Sequence, residues 1–400
     1  MGLLHHLFLF QGFGMLLPWN TIITAHDFFR LMFDHPTFQS YFAFYFNVSL
    51  VGVTLFWLKR QVEYGCTSYF LISMSFLIFI AMRLLNQKHD WYFYLCCLFI
   101  SIDGAATATI QSKIMSLATV RGDKAIQYVL IGQGIAGLTI SSADFLFKVI
   151  SLAGNKVVDP YIIYFSFSFI MTILCLLTYT RLSNTTMLSI YDVIDDNQPS
   201  DDDYAFNSSV NEKEIVDLIE DEDIPASSPA SNSETEYDVR HAKYHVITCF
   251  LTLFVTLFVF PATTSLIQPR KQYKDDPYYV ALFVPLGFFL YNLGDLLGRF
   301  ITLLPNIYVL FTFSLSRFVF AVIFPWLYLN DLKHRDLFFF ISILVFGLTN
   351  GYITNGAMML ASRKFRNEHV GKVMNLSMLL GCVVGSSASV VLANWLVFNK

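Results

Sequence analysis

Eleven apolar blocks, each about 20 residues long, recur along the 400-residue chain. They fall at roughly 4–25, 40–58, 66–85, 92–118, 126–148 and 161–181, then at 244–266, 278–300, 306–328, 337–361 and 370–397. A helix needs about 20 residues to cross the hydrocarbon core of a bilayer. A β-barrel would show strands of about 10 residues with alternating polarity, whereas these blocks are continuous. A soluble fold could not cover the same surface. Hydrophobic residues make up 55% of the chain and charged ones 14%, against about a quarter charged in soluble domains. The chain therefore reads as an all-α, polytopic membrane protein of about eleven transmembrane helices, with the lipid bilayer as its solvent.

The hinges between blocks are short and polar, with one exception. Between 182 and 240 the composition turns to Ser, Asn, Asp, Glu and Pro. Of the 30 acidic residues, 16 lie between Asp192 and Asp238, with Lys213 the single basic residue among them. Such a segment buries too little apolar surface to offset its ordering entropy, so disorder is expected. It divides the chain into an N-terminal bundle at 1–181, an acidic loop at 182–240 and a C-terminal bundle at 241–400. A cytosolic N-terminus would make the loop cytosolic too. Arg363, Lys364, Arg366 and Lys372 between the last two spans favour that orientation. Inside the loop, Glu214, Leu218 and Ile219 have the spacing of an acidic dileucine sorting signal. Sorting adaptors would then be partners and an endosomal, lysosomal or vacuolar membrane the destination; the plasma membrane is the alternative. A transient amphipathic helix would show the same pattern.

Several chemistries find no support. The six Cys lie within or at the edge of apolar blocks with no CxxC or Cys/His spacing, so neither a disulfide framework nor a metal site is expected. No HExxH, P-loop or nucleophile elbow occurs, so no catalytic residues or cofactor are expected. No basic, aromatic-laced face suggests a nucleic-acid partner.

Function in such a chain resides in its polar exceptions, because an ionisable group inside a span is expensive. Asp295 and Arg299 are four residues apart, share one helix face and can pair. Such a pair either fixes packing or lines a permeation path, and Asn292 extends the polar stripe by one turn. In the first span Pro18 frees a backbone carbonyl, Trp19 offers a flat face and Asn20 an amide, a combination suited to a heterocyclic solute. Gln111 lies mid-span among small residues. Its amide both donates and accepts, matching a nucleobase edge or simply joining helices. Gly132-Gln133-Gly134-Ile135-Ala136-Gly137 lacks the strand that a dinucleotide site requires, and reads as a close-packing surface. Asp103 and Asp144 are candidates for proton coupling, or else sit hydrated near an interface. Lys113 and Arg317 are expected to snorkel or to pair with them.

Gly12 through Asn20 resembles the first-helix signature of the equilibrative nucleoside transporter family. Further matches follow in family order. Gly132–Gly137 is similar to the fifth-helix motif and Phe260-Pro261-Ala262 to the seventh. Asn292, Asp295, Gly298 and Arg299 resemble the eighth, and Arg317, Phe320, Pro325 and Asn330 the ninth. Thr349-Asn350-Gly351-Tyr352 resembles the tenth and Met374 through Gly381 the last. The resemblance implies a major-facilitator-like, six-plus-five arrangement. It implies facilitated, alternating-access passage of purine and pyrimidine nucleosides (adenosine, uridine and similar), with nucleobases as further candidates. By position it implies that Leu16, Trp19 and Ile23 line a central cavity, that Gln111 bonds the base, that Asp295 and Arg299 bind ribose hydroxyls, and that Asn20 and Asn292 support the site. Lys113 and Thr107 depart from the family pattern and bear on selectivity. Two other readings stay open: a proton-coupled transporter of an acidic organelle, and a receptor or scaffold acting through the acidic loop.

Overall fold

The computed structural model describes residues 2–57, 64–85, 87–121, 123–154, 159–196, 242–273, 275–301, 303, 305–365 and 368–399. Among them there is no strand, and eleven helical stretches are long and apolar enough to cross a membrane. The first six comprise α1 (Gly2–Thr24), α3 (Phe38–Trp57), α4 (Gly65–Leu85), α5 (Trp91–Val120), α6 (Asp123–Leu152) and α7 (Pro160–Asp196), with a short α2 (His26–Met32) after the first. The seventh is broken at Pro261 into α8 (Lys243–Val259) and α9 (Ala262–Leu266). Then follow α10 (Pro277–Phe300), a ninth span made of α11 (Ile307–Ser316) and α12 (Phe318–Leu329), α13 (Arg335–Phe365) and α14 (Glu368–Phe398). Helix α7 continues past residue 181, where hydropathy ends the span, as far as Asp196. Glu214, Leu218 and Ile219 lie outside the described residues.

The packing repeats itself. α1 lies against α6 and α3 against α5, and after a shift of six spans α8 lies against α14 and α10 against α13. The two joints between the halves, α6 on α10 and α3 on α14, are related by the same shift. This is the pattern of two structurally similar bundles in a major-facilitator-like arrangement. Helices α4 and α7 also pair, but the shift gives the ninth span no partner, because a twelfth span would be needed. Its Tyr308, Val322 and Trp326 are correspondingly exposed.

Lipid offers little hydrophobic drive for helix association, so close van der Waals approach must supply it. Glycine makes that approach. A Cβ on Gly351 of α13 would sit 1.9 Å from the Asp295 carbonyl oxygen of α10, and one on Gly298 would sit 2.2 Å from the Leu348 carbonyl oxygen. Gly294 and Gly347 complete the seam between these helices. The obstructing atoms are backbone and cannot swing away. Gly351→Val is therefore expected to force α10 and α13 apart. The purified variant should melt well below the parent or fail to elute as a single species, whereas Gly52→Ala, with nothing within 4 Å of its added Cβ, should match the parent.

Candidate functional site

The seam between the two halves is built around Trp19. Its half-buried indole packs against three apolar clusters: a large one centred on the first half but reaching into the second, one centred on the second half, and a small one of Ala43, Leu257 and Cys382. The indole ring lies 5.0 Å from the Phe46 ring. Leu16 packs on the first-half cluster, while Ile23, 2% exposed, crosses the seam and packs with Val255, Val259 and Phe260 of the second half.

Two amides flank this wall. Asn20 Nδ2 donates to Leu16 O at 2.9 Å and Asn292 Nδ2 donates to Phe288 O at 3.0 Å, so each amide group turns back on its own helix. Their oxygens are left to converge on Gly137 of α6, that of Asn292 from across the seam. A Cβ on Gly137 would lie 2.3 Å from Asn292 Oδ1 and 3.4 Å from Asn20 Oδ1. The glycine-rich stretch of α6 thus makes room for two acceptor oxygens from opposite halves.

One and two turns beyond Asn292 stand Asp295 and Arg299, and Arg299 Nε donates to Asp295 Oδ2 at 2.8 Å, with both side chains buried. Arg299 Nη1 crosses to α6, donating to Leu130 O at 2.9 Å and Gln133 Oε1 at 3.4 Å. No described residue takes a hydrogen bond from Nη2. Asp295 Oδ1 accepts from Asn350 Nδ2 at 2.7 Å. A carboxylate offers about four acceptor positions and a guanidinium five donors, so the pair keeps capacity for two neighbouring hydroxyls. Asn350 and Gln133 escaped the sequence reading as site residues. Both stand inside recognisable motifs, but their partners are distant in the chain.

Gln111 stands apart from this group. It is 8% exposed and its Nε2 donates to Asn375 Oδ1 of α14 at 2.8 Å, an amide pair that also joins the two halves. Asn375 was not singled out as a site residue, although it stands inside the Met374–Gly381 stretch that resembles the last-helix motif.

The candidate proton carriers lie elsewhere. Asp103 is fully buried between α4 and α5, where Ser75 Oγ donates to Oδ1 at 2.8 Å and Oδ2 has no partner. Asp144 holds Lys148 at 2.9 Å, and the same ammonium holds Asp27 of α2 at 2.8 Å. Burial acts to raise the Asp27 carboxyl, but the Lys148 ammonium beside it prevails and holds it below its ordinary value. Asp144 is therefore tied into an ion-pair triad. Arg317 corrects the expectation made for it. It neither snorkels nor meets Asp103 or Asp144, but lies 1% exposed inside the second half, bonded to α8 and α13. Lys113 is half-buried.

Eleven spans in two related bundles, with acceptors, a charged pair and an aromatic wall along the seam between them, define a multi-pass membrane transporter. The family model described as "Nucleoside transporter" matches residues 95–394, three quarters of the chain, and the chain belongs to that family. It is 25% identical to the nucleoside transporter FUN26 of Saccharomyces cerevisiae, over 95% of this chain and 82% of the relative. It is 24% identical to equilibrative nucleoside transporter 2 of Homo sapiens, over 96% of this chain and 95% of that one. Among solved structures, a single-residue mutant of the nucleoside transporter NupG superposes with a TM-score of 0.50 at 10% identity, covering 99% of this chain and 97% of that one. A bacterial homologue of the human lysosomal transporter Spinster, inward-facing and unoccupied, gives 0.50 at 10% identity, over 96% and 80%. At such identity these two likenesses bear on the fold alone.

Gly137→Ala separates site from scaffold. The added methyl meets the far end of the Asn292 side chain, which can swing away. The variant is expected to keep its melting temperature within a few degrees while initial nucleoside uptake falls several-fold. Unchanged uptake would remove Asn20 and Asn292 from the site.

Proposed function

We propose that this chain carries purine and pyrimidine nucleosides down their gradient by alternating access, the two bundles rocking about a solute held at the seam. The observation that carries the reading is the Asp295–Arg299 pair, which sits at the seam and reaches the opposite bundle through Leu130 and Gln133. In this reading Asp295 accepts from ribose hydroxyls and Arg299 Nη2 donates to them. Trp19 stacks on the base, with Leu16 and Ile23 completing the wall. Gln111, released from Asn375, bonds the base edge, and Asn20 and Asn292 turn acceptor oxygens toward the solute. Membership in a transporter family points away from enzymology.

The bonds that close the seam suit reversible opening. At the end where α1 finishes, Thr37 Oγ1 donates to Asn394 Oδ1 at 2.9 Å and Tyr278 OH donates to Leu152 O at 2.9 Å. At the other end lie the Arg299–Leu130 and Gln111–Asn375 bonds. A neutral hydrogen bond contributes about 1 kcal/mol net, so a few at each end can exchange within the energy that solute binding supplies. The ionic triad of Asp27, Lys148 and Asp144 lies within one bundle and need not break.

The decisive measurement is uptake of labelled adenosine and uridine by proteoliposomes holding the pure protein, with and without an inward proton gradient. Uptake is expected to equilibrate and to ignore the gradient. Arg299→Ala and Gln111→Ala should each cut it by tenfold or more, from the loss of about 1.5–3 kcal/mol per charged or buried contact. Accumulation above equilibrium driven by protons would favour the proton-coupled alternative, with Asp103, whose Oδ2 lacks a partner, as its first carrier. The spacing of Glu214, Leu218 and Ile219 supports adaptor-directed delivery to a vacuolar or lysosomal membrane. Replacing Leu218 and Ile219 together by Ala should then shift a fluorescent fusion to the cell surface, and an unmoved fusion would discard the signal.

A further inference from the structure

Arg317 is an unusual cation. It is among the largest fully buried side chains of the protein, and among the described residues it forms no ion pair. Its charge is met instead by neutral acceptors and a ring. Nη1 donates to Phe346 O at 2.9 Å and Thr349 Oγ1 at 2.7 Å. Nη2 donates to Thr256 Oγ1 at 2.7 Å and, at 3.5 Å, to Asn350 Oδ1. The Phe346 ring lies under the guanidinium at 4.4 Å. Burying such a charge is costly in a membrane interior and usually marks function.

What Arg317 controls can be read from donor and acceptor logic. A guanidinium only donates. The Thr256 hydroxyl that it meets must therefore accept, which leaves its own proton for Asn350 Oδ1, 2.7 Å away, or the Thr252 carbonyl. Because the donor-only guanidinium also faces Asn350, at 3.5 Å, the Asn350 group on that side is the carbonyl. Its amino end then faces Asp295 Oδ1, to which it donates at 2.7 Å. Flipping the Asn350 amide would aim N–H at the guanidinium and C=O at the carboxylate, both repulsive.

The geometry points to Arg317, acting through Thr256 and Asn350, as a positioning residue that fixes the Asp295 carboxylate for ribose recognition. The relay holds one carboxylate oxygen while Arg299 holds the other, so the carboxylate cannot rotate and its spare lone pairs keep one direction. The relay runs from the junction of α11 and α12 through α8 and α13 to α10, and Arg317 itself touches no solute. This inference rests on the proposal that Asp295 binds the ribose hydroxyls.

The test compares uridine with 2′,3′-dideoxyuridine, which lacks both hydroxyls, in proteoliposomes of the full chain. The parent is expected to prefer uridine through KM, and Asp295→Asn to lose that preference. Arg317→Gln should raise KM for uridine about tenfold, the worth of one charge-assisted bond, and leave KM for the dideoxynucleoside unchanged. Thr256→Val, nearly isosteric and deleting only the hydroxyl, should move KM the same way by a smaller factor. It carries the test if Arg317→Gln does not insert. The double variant Asp295→Asn/Arg317→Gln should discriminate no worse than Asp295→Asn alone. If Asp295→Asn abolishes the preference but Arg317→Gln or Thr256→Val only lowers the maximal rate for both solutes, the relay is overturned and the ribose site stands. If Asp295→Asn itself keeps the preference, the ribose site falls and the relay with it.

Discussion

The close approach of α10 and α13 is the constraint on which the site depends. Gly294 and Gly298 on one helix and Gly347 and Gly351 on the other bring backbone against backbone, with no room for a single methyl group. That distance lets an amide as short as Asn350 reach the carboxylate of Asp295. Were the helices separated by ordinary side chains, the carboxylate would lose its second anchor and would turn with the Arg299 side chain. The same glycines thus supply the packing that lipid-solvated helices need and, in the proposed site, the precision that recognition of a small diol would need. On that proposal stability and function draw on one set of residues, and substitutions in this seam are expected to damage both.

The repeat of helix pairings extends that logic to the whole chain. α1 approaches α6 through Gly12 and Gly132 as α8 approaches α14 through Gly381 and Gly385. The pairs within a bundle are therefore zipped by backbone contact. The joints between bundles are made differently, by side-chain bonds such as Thr37–Asn394 and Arg299–Gln133. Tight pairs moving as units, linked by bonds that exchange readily, is the mechanical division that alternating access requires.

Much of this was legible in one dimension. Hydropathy registers the local cost of leaving water, and it located all eleven spans: the tenth, expected at 337–361, runs Arg335–Phe365. The i,i+4 spacing of Asp295 and Arg299 forecast their pairing because both lie on one helix. The failures were of contacts made at long range. Gln111 and Asn375 are 264 residues apart, and nothing near either names the other. Counting charges misled outright for Arg317: a buried cation suggested a carboxylate partner, and the fold answers it with a hydroxyl pair, a carbonyl and a ring.

Among the described residues the second half buries three arginines, Arg299, Arg317 and Arg335, against two carboxylates, Asp295 and Asp336; Arg335 is paired with Asp336 at 3.4 Å, which leaves Arg299 and Arg317 with Asp295. Arg317, 1% exposed, is linked to Asp295 through Thr256 and the Asn350 amide. Asp295, paired with Arg299, serves as an acceptor, which suits hydroxyl donors. The oxygens of Asn20 and Asn292 add more acceptors around Gly137. A free phosphate, itself rich in acceptors, would meet that acceptor-lined face poorly, while Arg299 Nη2 offers it one edge. In the proposed site, this set of acceptors matches a neutral, hydroxyl-bearing solute better than its phosphorylated form.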